Sequence, residues 1–188
     1  MSHADELART ANLLGTMSLA VGDRLRAATE TAAGHAGSGP AALAALSTYL
    51  DGESIDVLGR SLGLTHSAAV RLVDRLEESR LVERGRGEDG RSVSVVMTAA
   101  GRRAGRKILD ARHRAVGEVL ESLSPSEQRT LTGVCEKLLG GLTGSHADAS
   151  RICRLCDPDA CGHYEGLCPV TRAAARLAGS APLSEEGP

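Results

Sequence analysis

Aromatic residues are almost missing from this 188-residue chain, which has two Tyr, no Phe and no Trp. Leu, Val and Ala must therefore build the core, and that favours packed helices over a β-sandwich. No apolar run approaches the roughly 18 residues needed to cross a bilayer, and no charged-then-apolar leader pattern is present. The expectation is a cytoplasmic protein. Strong charge of either sign is also lacking: the net charge is −2, so any basic surface for nucleic acid has to be local. Enzyme signatures are missing as well. There is no Walker-type G-x-x-x-x-G-K-[ST] phosphate loop and no H-E-x-x-H helix, and the expectation is a protein that is not an enzyme. Cysteine is scarce except in one place. Four of the five cysteines fall within the sixteen residues 153–168.

What is present is helical periodicity with clear stop signals. Over residues 5–33, Leu7, Ala11, Leu14, Val21 and Leu25 recur at helical spacing. GHAGSGP (34–40) interrupts them, and Pro40 suits the first turn of a helix AALAALSTYL that ends at Asp51-Gly52. Ser54 caps a short helix, and Thr65 caps a longer one, HSAAVRLVDRLEESR. Two β-prone pieces then flank Gly87, Asp89 and Gly90. Val93, Val95 and Met97 alternate with Ser92, Ser94 and Val96, the pattern of a hairpin. Thr98 caps a long helix. Ser124-Pro-Ser-Glu127 is a capping box that opens another, with Leu131, Val134, Leu138 and Leu142 on one face and Cys135 beside them as a core residue. GGLTGSHADAS (140–150) reads as a hinge.

The predicted fold class is mainly α with a small β-wing: a winged helix–turn–helix flanked by dimerisation helices. The expected organisation is an N-terminal dimerisation helix (1–36), a DNA-binding domain (37–100), C-terminal dimerisation helices (101–145), a Cys-rich metal loop (150–172) and a disordered tail (173–188). VTRAAARLA offers one or two helical turns within the last of these. The terminal helices each carry one apolar stripe that a single chain cannot bury, which predicts a homodimer.

The stretch LGRSLGLTHSAAVRLVDRLEESRLVERGRGEDGRSVSVVMTAAGR resembles the core of MarR-family transcriptional regulators. The family's wing signature is Asp-x-Arg, five residues, then Leu-Thr. This chain has Asp89-Gly-Arg91, five residues, then Met97-Thr98. The resemblance runs from about residue 5 to residue 143. It implies a recognition helix in the major groove, read by residues near its N-terminus. Those are Thr65, His66, Ser67 and Arg71, with Arg75 one turn on and within reach of a phosphate, and Val70, Val73 and Leu76 packed inward. The wing would offer Arg86 and Arg91. In the family, the arginine matching Arg91 enters the minor groove and the aspartate matching Asp89 orients the wing's arginines. Both segments are formally neutral: residues 65–80 hold three Arg against one Asp and two Glu, and residues 83–91 hold three Arg against two Glu and one Asp. Affinity must then come from placement, from helix N-termini facing phosphates and from two copies binding together. Just after the wing lies a second basic stretch, Arg102, Arg103, Arg106, Lys107, Arg112 and Arg114, whose first members either touch DNA backbone or form a solvated helix face. The resemblance also implies a small-molecule inducer pocket between the dimer helices and the DNA-binding lobe.

The cysteines are spaced Cys153-x2-Cys156-x4-Cys161-x6-Cys168-Pro169. Four thiolates at short intervals, with Gly162 and Gly166 to relieve the turns, suit one tetrahedral metal. The segment also has too few large apolar side chains for a core of its own. Zn²⁺ is the first expectation, with His163 able to replace one Cys. An iron–sulfur cluster and free redox-active thiols remain alternatives. The function this predicts is a dimeric, sequence-specific regulator, a repressor, that binds a pseudo-palindromic double-stranded operator and carries a structural or sensing metal site. The alternative is a metal-stapled protein–protein adaptor on the same fold.

Overall fold

The computed structural model describes residues 2–87, 93–177 and 179. The helices, in chain order, are α1 (His3–Ala33), α2 (Gly39–Ala45), α3 (Ile55–Leu62), α4 (His66–Glu78), α5 (Ala99–Leu120), α6 (Pro125–Leu142), α7 (His146–Cys153) and α8 (Pro169–Leu177). Between α4 and α5 lie β1 (Val82–Arg86) and β2 (Val93–Met97). The two strands pair antiparallel, Val82 against Met97 and Arg86 against Val93.

The starts and stops follow local chemistry. Ser2 and Asp5 form a reciprocal cap on α1, and Gly34 ends that helix in the left-handed conformation at φ 67°. Ser54, Thr65 and Thr98 cap α3, α4 and α5 through their hydroxyls, and Ser124 with Glu127 forms the capping box of α6. The core gathers Leu43, Leu46, Leu58, Leu72, Val73, Leu76, Val82, Val95, Met97 and Ile108 from α2 through α5. No aromatic ring enters it. Two glycines let α5 press into this core. A Cβ on Gly101 would stand 2.0 Å from the Leu81 carbonyl oxygen, and one on Gly105 would stand 2.7 Å from the Ser47 side chain and 2.9 Å from the Leu43 carbonyl. They are four residues apart, on one helical face.

The structure corrects several expectations. The segment AALAALSTYL is not one regular helix. After Ala45 it widens into a π-helical turn, Leu46–Leu50, in which Ser47 and Thr48 return their hydroxyls to the Ala44 carbonyl. In β2 the alternation fails at Val93, which is exposed, and Ser94, which is 3% exposed. Ser94 lies opposite Gly85, whose missing side chain leaves it room, and it also bridges to Ser54. The 140–150 hinge shrinks to three residues, because α6 runs through Gly140 and Gly141 and Ser145 caps α7 at once. The tail does not begin at 173: α8 continues to Leu177 with Ala173 and Ala174 buried. The rest of that tail, apart from Gly179, lies outside the described residues. Cys135 is exposed rather than core, since α6 buries no residue within one chain.

Candidate nucleic-acid interface and cysteine cluster

Helix α4 has two faces. Ala69, Leu72, Val73 and Leu76 are buried, with Val70 half-buried at their edge. That fixes the opposite face, where Thr65, His66, Ser67, Arg71 and Arg75 are exposed. Thr65 serves two purposes. Its hydroxyl accepts from the Ala68 N–H at 3.3 Å and lies 3.3 Å from the Ser67 hydroxyl. His66 Nδ1 sits 2.6 Å from Asp56 Oδ1 at the start of α3, so this side chain is held at the mouth of the helix–turn–helix. Ser67, Arg71 and Arg75 form an i, i+4, i+8 stripe.

Two of the three acidic residues of α4, Asp74 and Glu77, are engaged elsewhere. Arg84 on β1 pairs with both Asp74 and Glu77, and its guanidinium is held further into its charged form, first by the hydrogen bond to Asp74. Among the described residues neither Arg71 nor Arg75 joins an ion pair. Placement thus supplies locally what the neutral charge count of the helix does not. Arg86 is exposed at the end of β1. Asp89 and Arg91 at the wing tip lie outside the described residues. Arg102 pairs with Asp51 Oδ2 at 2.5 Å, while Arg103, Arg106 and Lys107 are exposed along α5.

Asp51 escaped the sequence reading, yet it organises the base of the wing. Its second oxygen, Oδ1, accepts from the Met97 N–H at 2.7 Å. The next residues behave as a short third strand: Gly52 N–H donates to Val95 O at 2.9 Å, and Val95 N–H donates to Glu53 O at 2.8 Å. The π-helical turn therefore feeds directly into the wing sheet. Arg84 and Tyr49 were missed too. The only signal for Arg84 was a basic residue opposite a helix carrying Asp74 and Glu77.

The cysteine segment folds as a run of tight turns between α7 and α8. Cys156 N–H donates to Cys153 O at 2.8 Å, Cys161 N–H to Asp157 O at 3.1 Å, and Cys168 N–H to Gly162 O at 3.2 Å. Gly162 and Gly166 take φ 67° and 69°. Cys153, Cys161 and Cys168 line one cavity of about 160 Å³ with Tyr49, His163 and Val170. The Cys156 and Cys161 thiols donate to the Asp157 and Pro158 carbonyls at 3.5 Å, and the four thiols and the Tyr49 hydroxyl lie close enough to influence one another's charge. The Cys153 hydrogen bond lowers Cys156 to about 6, helped by the Arg112 charge and the Tyr49 hydroxyl against the cost of burial. Cys153 moves far upward, first by the same hydrogen bond and then by burial. Burial and the Cys156 charge push Cys161 up to about 12. Burial followed by the neighbouring thiolates raises Tyr49. Among the described residues no three His, Cys, Asp or Glu side chains stand ready-made as a metal-holding set. His163 turns its Nδ1 to the Thr171 hydroxyl at 3.0 Å and packs edge-on against Tyr49 and Tyr164.

Residues 41–92 match the MarR family model, and they span α2 to the wing. That segment is similar to the winged helix of the MarR family. The whole arrangement is similar to YusO from Bacillus subtilis, with TM-score 0.62 and 18% identity over 73% of this chain and 97% of that one. It is also similar to a MarR family protein from Bacillus stearothermophilus, with TM-score 0.60 and 25% identity over 73% and 96%. MepR, a transcription regulator of the Staphylococcus aureus multidrug efflux pump MepA, matches with TM-score 0.57 and 18% identity over 70% and 97%. These structures are matched over almost their full length, while more than a quarter of this chain falls outside each match. A comparison with curated proteins finds no match in sequence. Among the described residues no helix is long and apolar enough to cross a membrane.

Proposed function

We propose that this chain is a sequence-specific regulator of transcription that binds double-stranded DNA as a homodimer and represses its target. The observation that carries this reading is the outer face of α4. Two arginines stand there without an acidic partner among the described residues, next to the hydroxyls of Thr65 and Ser67 and above a fully packed inner face. A helix of this kind enters the major groove, and in this reading Arg71 reads a base edge while Arg75 reaches a phosphate. Dimerisation is supported by apolar side chains that one chain leaves open: Leu7, Leu14, Met17 and Leu19 on α1, and Val134 and Leu138 on α6. A cleft between α1 and α5, lined by Arg24, Thr31, Arg114 and Glu118, is the place proposed for a small-molecule inducer. The four-cysteine segment is a metal-binding extension in this reading, for Zn²⁺ before an iron–sulfur cluster. Gel shift against the DNA upstream of its own gene, at two salt concentrations, tests the function. Specific binding survives competitor DNA and weakens with salt. An adaptor on the same fold shows no shift.

A further inference from the structure

The cysteine segment does not hang free of the DNA-binding lobe. Helix α7 packs on α3, the first helix of the helix–turn–helix, and α8 packs on α6. The Arg151 guanidinium of α7 lies beside Gly63, the residue that ends α3 and begins the turn into α4. Tyr49 is the third connection. It sits in the π-helical turn, lines one cavity with Cys153, Cys161 and Cys168, and stands two residues before Asp51, which holds the Met97 N–H and Arg102. One side of the turn therefore faces three of the four thiols, and its end is tied to the wing. A π-helical turn has wider, less regular hydrogen bonding than its α-helical flanks, and such turns often sit at functional positions.

We propose that a single thiophilic divalent ion, of the Zn²⁺ class, bound by Cys153, Cys156, Cys161 and Cys168, sets the position of the wing through Tyr49. The donor set fits such an ion: four sulfurs on one short loop, three of them half-buried and one buried, with Cys153, Cys161 and Cys168 around a cavity already shared with Tyr49. Four thiols this close repel one another once ionised, and a dication removes that repulsion. The thiols have to be drawn inward to bind, because they do not stand in ligand geometry. That movement takes Cys153 and Cys161 away from Tyr49 across their shared cavity or pulls Tyr49 with it. Either displacement acts on a turn that leads straight to Asp51. The inference rests on the metal reading above and extends it from a staple to a control.

The test uses the full chain, purified without oxygen. The metal arm measures zinc, iron and acid-labile sulfide, then replaces the bound ion with Co²⁺. One zinc per chain and intense thiolate-to-cobalt absorption are expected. Cys156→Ser with Cys161→Ser should lose both. Iron with sulfide, or four free thiols and no metal, overturns the single-ion assignment. The coupling arm needs no DNA: hydrogen exchange is followed at the Val95 and Met97 amides before and after a chelator strips the metal. The parent should exchange at least tenfold faster at these two amides when stripped. Tyr49→Phe should keep one zinc per chain yet change by less than threefold. Equal responses in parent and variant, or none in the parent, overturn the coupling. DNA affinity is measured on the same samples. A protein that shows the exchange change but binds no duplex keeps the metal control and loses the regulator reading.

Discussion

Asp51 offers a prediction whose size can be worked out from the structure. Its carboxylate accepts the Met97 N–H at 2.7 Å with one oxygen and pairs with Arg102 through the other. Met97 is 2% exposed, so Asp51→Ala strands a buried N–H donor at a cost of about 1–3 kcal/mol. The Arg102 pair is half open to solvent and contributes about 0–1 kcal/mol. The expected loss is about 1–4 kcal/mol in all, centred on about 2 kcal/mol. Asp51→Asn keeps an amide oxygen for Met97 and loses only the ion pair, so it should cost under about 1 kcal/mol. Urea denaturation at one fixed protein concentration separates the two, because a dimer's apparent stability depends on concentration. With a slope of about 2 kcal/mol/M, the Ala midpoint should fall by about 1 M and the Asn midpoint by less than half of that. Equal midpoints for Ala and Asn, or an Ala variant within about 0.5 kcal/mol of the parent, would refute the role given to this side chain.

Gly105→Ala forces a methyl against Ser47 and the Leu43 carbonyl and should cost about 1–3 kcal/mol by chemical denaturation, whereas Gly117→Ala meets nothing within 4 Å and should gain about 0.5–1 kcal/mol. Val134→Glu with Leu138→Glu places two charges on the open face of α6 and should give a monomer by light scattering at micromolar concentration; an intact dimer moves the interface elsewhere. Arg71→Ala should cost about 1–3 kcal/mol of DNA binding and relax the preference at one position per half-site. Arg75→Ala should weaken all sequences alike and reduce the salt slope by about one per site. Parent-like binding by both variants refutes the assignment of the α4 face.

Much of the winged-helix lobe was legible because its signals are local. A hydroxyl cap and an apolar stripe define α3, α4 and α5 one element at a time, and Ser124 with Glu127 marks the start of α6 without reference to the rest of the fold. What the sequence hid depends on partners far along the chain. Asp51 lies 46 residues from Met97, and nothing near it shows that its carboxylate will take that N–H. Ser94 is polar on a strand, and its burial follows from the glycine opposite. The π-helical turn has no composition of its own, since AALAALSTYL is good helix sequence throughout. Tyr49 drew no notice as one of only two aromatic residues, because the cysteines that share its cavity are more than 100 positions away. Cys135 was read as core from its helical position. The face it occupies is a face of α6 that a single chain leaves open.

The most direct test of the central claim is to let the protein choose its own site. Full-length chain is incubated with a pool of duplexes randomised over a long window, bound DNA is enriched through several rounds at near-physiological salt, and the winning sequence is footprinted. The account predicts a pseudo-palindrome protected on both halves, with half-site centres about one helical turn apart, roughly 10 base pairs, and two chains per duplex. A pool that yields no consensus, or a footprint covering one half-site under a single chain, would contradict it.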